Sequence, residues 1–595
     1  MQKLNLLFPS YKTTNFVFGE LLIFRFLRVN IFAVALFSFL TIFSNPSFSQ
    51  SKTILPLPKL ALPTGGQVVA GNASINSSTT SNSATMNINQ TSQRAVINWD
   101  SFNVGKNATV NFNQPNANAV TLNRVTGATA SMINGAINAN GQVILVNSNG
   151  VVFGKGAEVN AAAVVASTLN IANQEFMEGR NTFKEDGTGQ GSKAGKIINK
   201  GTIQTNNANG EGGFIALLAP EVRNQGVLLA QKGGTVAIGS GNQITLTIQG
   251  QSLVAIKVDE AAYNGLISNK HIIEAPGGLV VLATSAANQL MAGIIKNTGR
   301  ISANSLVNNG GTIELVAKNI TQAGTLSSSS QTQGGGQINI IGQEIIAAKG
   351  SSTTAIGTTS GGQVNIGLAS TQVSGGTQIN TPTQVGIKAN ADAAASNGQL
   401  AKTVTIEENA LIDTSSTQTG NGGAIAIWSE LKTTVAGILK SMGGVLSGNG
   451  GFIETSSKGA VSLASTTQIN TSANNLTGKA GTWLLDPIDL TIDGTAAGII
   501  SSVLSSSNVT IAVSNSTSSC PGVGVCNASG VVPKLTVGAD IMKTGSLYTT
   551  LTLTSAGDFT LSANITGQNL DVIISSSIAY LNVGSSINAS KVTVQ

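Results

Sequence analysis

The sequence predicts an all-β chain wound as a right-handed parallel β-helix, and three observations carry that expectation. First, a pair of glycines followed by alternating apolar residues recurs at Gly212-Gly213, Gly233-Gly234, Gly277-Gly278, Gly310-Gly311, Gly335-Gly336, Gly361-Gly362, Gly422-Gly423 and Gly450-Gly451. Most neighbouring copies lie about 21 to 30 residues apart, a solenoid period, and the longer gaps read as degenerate copies. Second, only 10% of the 595 residues are charged and 4% aromatic, while 69 are glycine. An ordinary globular enzyme rarely has that balance. A disordered stalk would lack the regular Val, Ile and Leu spacing behind a mean hydropathy of +0.20. Third, Asn140 to Ala163 reads as strand, tight turn and strand, with Gln142 to Val146 apolar, Asn147-Ser148-Asn149-Gly150 able to accept positive φ, and Val151-Val152-Phe153 resuming the strand.

One copy of such a repeat is too short to bury its own core, so successive coils must stack and share one. Inward Val, Ile, Leu and Ala then form a continuous apolar column, glycine permits the corners, and stacked Asn, Ser and Thr satisfy backbone groups coil by coil. The repeated Leu pattern of leucine-rich repeats is absent, and a propeller would need longer units and more aromatics.

The first element, residues 1–49, reads as an extended signal peptide. Lys3, Lys12, Arg25 and Arg28 precede an apolar run from Ile31 to Phe43, and Ser47-Phe48-Ser49 supplies small residues for cleavage between Ser49 and Gln50. The run is shorter than the roughly 20 residues of a membrane-spanning helix. Those four cations against Glu20 account for half of the formal +6 of the chain, and the remainder shows no basic cluster of the kind that reaches phosphates. No nucleic-acid partner is expected.

Residues 50–320 hold the motif blocks. Val96-Ile97-Asn98-Trp99-Asp100-Ser101-Phe102-Asn103-Val104-Gly105, Leu122-Asn123-Arg124-Val125, the corner Asn147 to Val151, and Val165-Ala166-Ser167-Thr168-Leu169-Asn170-Ile171 closely resemble the secretion-domain motifs of filamentous-haemagglutinin-like exoproteins of two-partner secretion. Ser148 stands where that family usually has Pro, and Ala128-Thr129 occupies the place of an expected Asn-Pro pair. The segments Gly213 to Asn224 and Gly478 to Pro487 are similar to repeat blocks of the same exoproteins. The resemblance implies a secreted or surface-exposed adhesin-like protein of a Gram-negative bacterium, with an outer-membrane β-barrel transporter as partner and a host or cell-surface ligand of unidentified class. It also implies that Asn147, Ser148, Asn149, Gly150 and Val151 form the secretion-motif turn.

Residues 321–495 continue the Gly-rich repeats, and residues 496–595 read as a further β-rich region in which few helix signals stand out. The chain stops at Lys591 to Gln595 in a strand pattern without the polar cap of a solenoid end, so either a partner covers that end or the protein continues.

No catalytic, cofactor or metal site is expected. The single histidine, His271, sits at the start of a strand pattern and reads as a surface or turn residue. Cys520 and Cys526 bracket a short loop, which in an exported protein is most simply a disulfide, with two free thiols as the other reading. Gly187 to Lys196 lacks the second glycine and the hydroxyl of a phosphate loop. Asp486, Asp489 and Asp493 are close enough in sequence for a calcium site but sit in a turn-and-strand pattern. Other readings are a β-helical enzyme acting on polysaccharide, which would need convergent carboxylates, and the N-terminal part of a contact-dependent toxin or haemolysin.

Overall fold

Three strands and three corners make one coil, and the coil Gln142 to Ala161 shows why. Gln142–Val146 lies in a first sheet, the chain bends at Asn147–Gly150 to Val151–Phe153 in a second, and Glu158–Ala161 enters a third. Ala163–Ser167 then returns directly onto Gln142–Val146 in parallel register, Val143 opposite Val164 and Leu145 opposite Ala166. The computed structural model describes residues 56–186, 195–284, 293–367, 401–457, 459–487, 489–513 and 533–595. From Leu57 on these form one compact unit, a parallel β-helix as the repeat pattern predicts.

Inside, the alternation of each first-sheet strand builds the column. Val143, Val164, Ile215, Val236, Val280, Ile313 and Ile338 stack in successive register and are nearly or fully buried. A second column is polar. Asn199, Asn224, Asn269 and Asn297 are fully buried, and each donates its amide to the next side chain at 2.7–2.9 Å, the last to Gln322. The spare amide hydrogens reach carbonyls at the start of third-sheet strands, as from Asn224 to Ile272 at 3.1 Å, so each amide of this column is satisfied as burial requires.

The glycine pairs mark one corner. Each of the eight pairs immediately precedes a first-sheet strand, from Phe214–Leu218 to Phe452–Ser457. The reason is space. A Cβ on Gly278, Gly311, Gly336, Gly362, Gly423 or Gly451 would lie 2.0–2.3 Å from the carbonyl oxygen of the stacked glycine one coil earlier. The long gap between Gly233-Gly234 and Gly277-Gly278 is not a degenerate copy, as the sequence suggested, but an excursion from a single coil: Gln243–Gln249 and Ser252–Glu260 form an antiparallel hairpin between Thr235–Gly239 and Leu266–Asn269.

At the N-terminal end Ala73–Thr79 pairs antiparallel with Ala84–Gln90, and Gln67–Ala70 antiparallel with Arg94–Trp99, before the parallel stacking begins. Toward the other end the β-rich region also holds a helix that the sequence did not single out. Gly494–Leu504 is an α-helix capped by the Asp493 carboxylate, which accepts from the Ala496 amide at 2.9 Å. Ala497, Ile500, Val503 and Leu504 on one side of it join the main core.

Candidate functional site

The corner Asn147–Gly150 turns the chain from the first sheet to the second, and its asparagines fasten it to the coils on either side. Asn147 is fully buried. Its Nδ2 donates to Thr129 O at 3.0 Å and Ser131 Oγ at 2.9 Å in the preceding coil, while its backbone amide donates to Ser167 O at 2.9 Å in the next. Asn147 Oδ1 accepts from the Asn149 amide at 2.9 Å, and the Gly150 amide donates to Asn147 O at 2.9 Å, closing the turn on itself. Asn149 Nδ2 reaches back to Gly127 O at 3.0 Å.

The turn uses its residues differently from the sequence expectation in one respect. Among these residues positive φ falls on Gly150 alone, at 116°; the asparagines contribute through their side-chain amides. Gly150 also passes Lys196 closely, since a Cβ there would lie 3.1 Å from its carbonyl oxygen. Ser148, in the place the resemblance gives to Pro, is half-buried, and its Oγ lies 3.5 Å from Asp186 Oδ1. Val151 is fully buried and opens the next strand in register between Ser131 and Ile197.

The other motif blocks converge on the neighbouring coils. Trp99 Nε1 donates to Asn123 Oδ1 at 3.1 Å in the core, and the indole meets Phe102 edge-on at 5.5 Å. Arg124 points to the outer face of the first sheet, where Nε donates to Asn170 Oδ1 at 2.9 Å, one terminal nitrogen to Asn173 Oδ1 at 2.6 Å, and the other to Ile171 O at 2.5 Å. Asn170 in turn donates to Asp186 Oδ2 at 2.6 Å. Burial pushes the Arg124 pKa down and Asp186 opposes that shift. Arg94, lowered by the same desolvation, donates to Phe176 O at 2.9 Å and lies 5.0 Å from the centre of its ring.

These two arginines hold down a strap that the sequence did not reveal. The short helix Asn173–Met177, the strand Asn181–Lys184 and the hairpin strand Gln243–Gln249, to which it pairs antiparallel, cover the outer face of the first sheet. Phe176, Phe183, Ile244, Leu246, Ile256 and Val258 form a second apolar cluster there with Ile144, Val146, Val165 and Phe214. This is why the strands Gln142–Val146, Ala163–Ser167 and Phe214–Leu218 are buried on both faces. Their near-continuous apolar runs were the available signal for such a cover.

Among the described residues no three His, Cys, Asp or Glu side chains gather as a metal site. His271 is exposed, one residue before the strand Ile272–Glu274. Asp486 ends a strand, Asp489 is exposed and Asp493 caps the helix, so the three acids serve separate elements. Cys520 and Cys526, Ser49 and Gln50, and most of Gly187 to Lys196 lie outside the described residues.

Residues 61–328, which include every motif block of this site, match the family described as TPS secretion domain. Two curated relatives are heme/hemopexin-binding proteins of Haemophilus influenzae. One is 34% identical over 259 residues, 43% of this chain and 27% of its own length. The other is 30% identical over 250 residues, 39% of this chain and 26% of its own length. The chain thus spans about a quarter of the length of these relatives. The crystal structure of the HMW1 secretion domain from Haemophilus influenzae is similar with a TM-score of 0.56 at 27% identity, over 71% of this chain and 100% of that one.

Proposed function

With residues 61–328 of this chain a TPS secretion domain, we propose that the protein is an adhesin-like exoprotein exported through an outer-membrane β-barrel transporter that reads this domain. TPS-domain proteins are secreted across the outer membrane to the cell surface or the medium. The observation that carries the reading is the motif-built corner: the side-chain amides of Asn147 and Asn149 close the turn and tie it to the preceding coil, and the Asn147 backbone amide reaches the next one. A chain arriving unfolded at a transporter needs such a local nucleus, because each coil can stack only on one already formed. The remaining coils then add in sequence and hold the distal surface away from the cell.

The matched stretches of 259 and 250 residues are about the size of the secretion domain, so the likeness supports a shared export route rather than a shared heme or hemopexin ligand. Catalysis is not part of the proposal, since the acids and His271 stand in separate elements. Expression of the full chain with and without a two-partner transporter in the outer membrane tests it. The protein should reach the medium only with the transporter, and equal release in its absence would refute the route.

A further inference from the structure

At the corner that leads from the third sheet into the first, most coils present polar side chains, for example Gln331-Thr332-Gln333 and Thr417-Gln418-Thr419. Further along, the same corner turns apolar. Val445 and Leu446 in one coil and Leu476 in the next face solvent, and Leu547 and Tyr548 stand beside them. Leu446 is 69% exposed and Leu476 fully so. Five large apolar side chains in one place are more than scattered surface exposure accounts for.

They line a groove of about 1060 Å³, large enough for one elongated or flat ligand. Its walls are fixed rather than collapsible. Asn475 Nδ2 donates to Gly444 O at 2.9 Å, Gly448 O at 2.7 Å and Ala473 O at 2.9 Å, while its Oδ1 accepts from the Thr477 and Gly478 amides. One half-buried amide thereby locks two corner loops together. The Tyr548 hydroxyl is already committed, donating to Asp571 Oδ1 at 2.9 Å.

Lys479 is the single charged residue lining the groove, and it forms no ion pair among the described residues. We propose that the groove binds a long-chain fatty carboxylate, its alkyl chain against Leu446, Leu476 and Leu547 and its headgroup on the Lys479 ammonium. One cation matches one anionic head. A membrane surface is the poorer fit, because the apolar residues line a concavity and a bilayer-binding face carries several Lys and Arg around an outward apolar stripe.

The test is displacement of a fluorescent fatty-acid probe from the full exported chain by oleate. Oleate should displace it at one site per chain, and dodecyltrimethylammonium should not. Lys479→Glu should weaken binding about tenfold or more, Lys479→Arg should restore it, and Leu446→Asn with Leu476→Asn should abolish it. All these side chains are exposed, so unchanged circular dichroism is expected for each variant. Equal displacement by the cationic surfactant, unaltered affinity in Lys479→Glu, or binding to anionic phospholipid vesicles without binding to oleate would each overturn the proposal.

Discussion

The indole Nε1 of Trp99 donates to Oδ1 of Asn123 across 3.1 Å of buried core, and the two residues stand 24 positions apart in adjacent coils. Asn123 Nδ2 continues the chain of bonds to Ile144 O at 3.3 Å. A single side chain therefore registers three coils at the start of the solenoid. Asn123→Leu should leave the indole N–H buried without a partner, at a cost of about 1–3 kcal/mol. Hydrogen exchange of Arg94–Trp99 should lose protection accordingly; unchanged exchange would show that the bond does not hold the register.

Glycine position, not glycine content, should govern stability. Gly336→Ala puts a Cβ 2.1 Å from Gly311 O and 2.2 Å from Ser328 Oγ, so the stacked corner must open, at about 1–3 kcal/mol or more. Gly498→Ala lies in the helix Gly494–Leu504 with nothing within 4 Å of the added carbon, and should stabilise that helix by about 1 kcal/mol. Thermal unfolding of the two variants should move in opposite directions.

Arg124 is a multi-donor clamp on the strap, and its planar fork is not replaceable by a point charge. Arg124→Lys keeps the cation but should lose the simultaneous bonds to Asn170, Asn173 and Ile171. Limited proteolysis should then cut between Asn170 and Asp186 faster than in the native protein, with the inner coils still protected. Equal resistance would mean that the apolar cluster under Phe176 and Phe183 holds the strap alone.

The buried amide column makes a further expectation. Asn269→Leu removes the acceptor of Asn224 and the donor to Asn297 at once. The orphaned amide of Asn224 and carbonyl of Asn297 should cost about 1–3 kcal/mol each, read as faster exchange in Leu266–Asn269 and its two neighbouring strands.

The architecture was legible because its period is written in the glycine pairs, and the second glycine of each pair falls where the adjacent backbone leaves no room for a side chain. The corner at Asn147 was legible for a related reason, since few residues can bond both their own turn and a neighbouring coil. The strap was not. Gln243–Gln249 alternates apolar and polar residues like any coil strand, and nothing local says that it pairs antiparallel outside the solenoid. Arg124 finds partners 46 to 49 positions later, a separation that no helical or strand period encodes. The helix after Asp493 is rich in Gly, Thr and Ser, which weakens the propensity signal while the apolar face still finds the core.

The most direct test of the export account is the fate of Asn147→Ala with Asn149→Ala in cells carrying the transporter. Periplasm and medium would be quantified for the native chain, the double variant and a control, Asn160→Ala, on the outer amide row within the same domain. The account predicts native-level synthesis and inner-membrane crossing in all three, with the double variant retained in the periplasm and the control released. Equal release of the double variant would remove the corner from the mechanism.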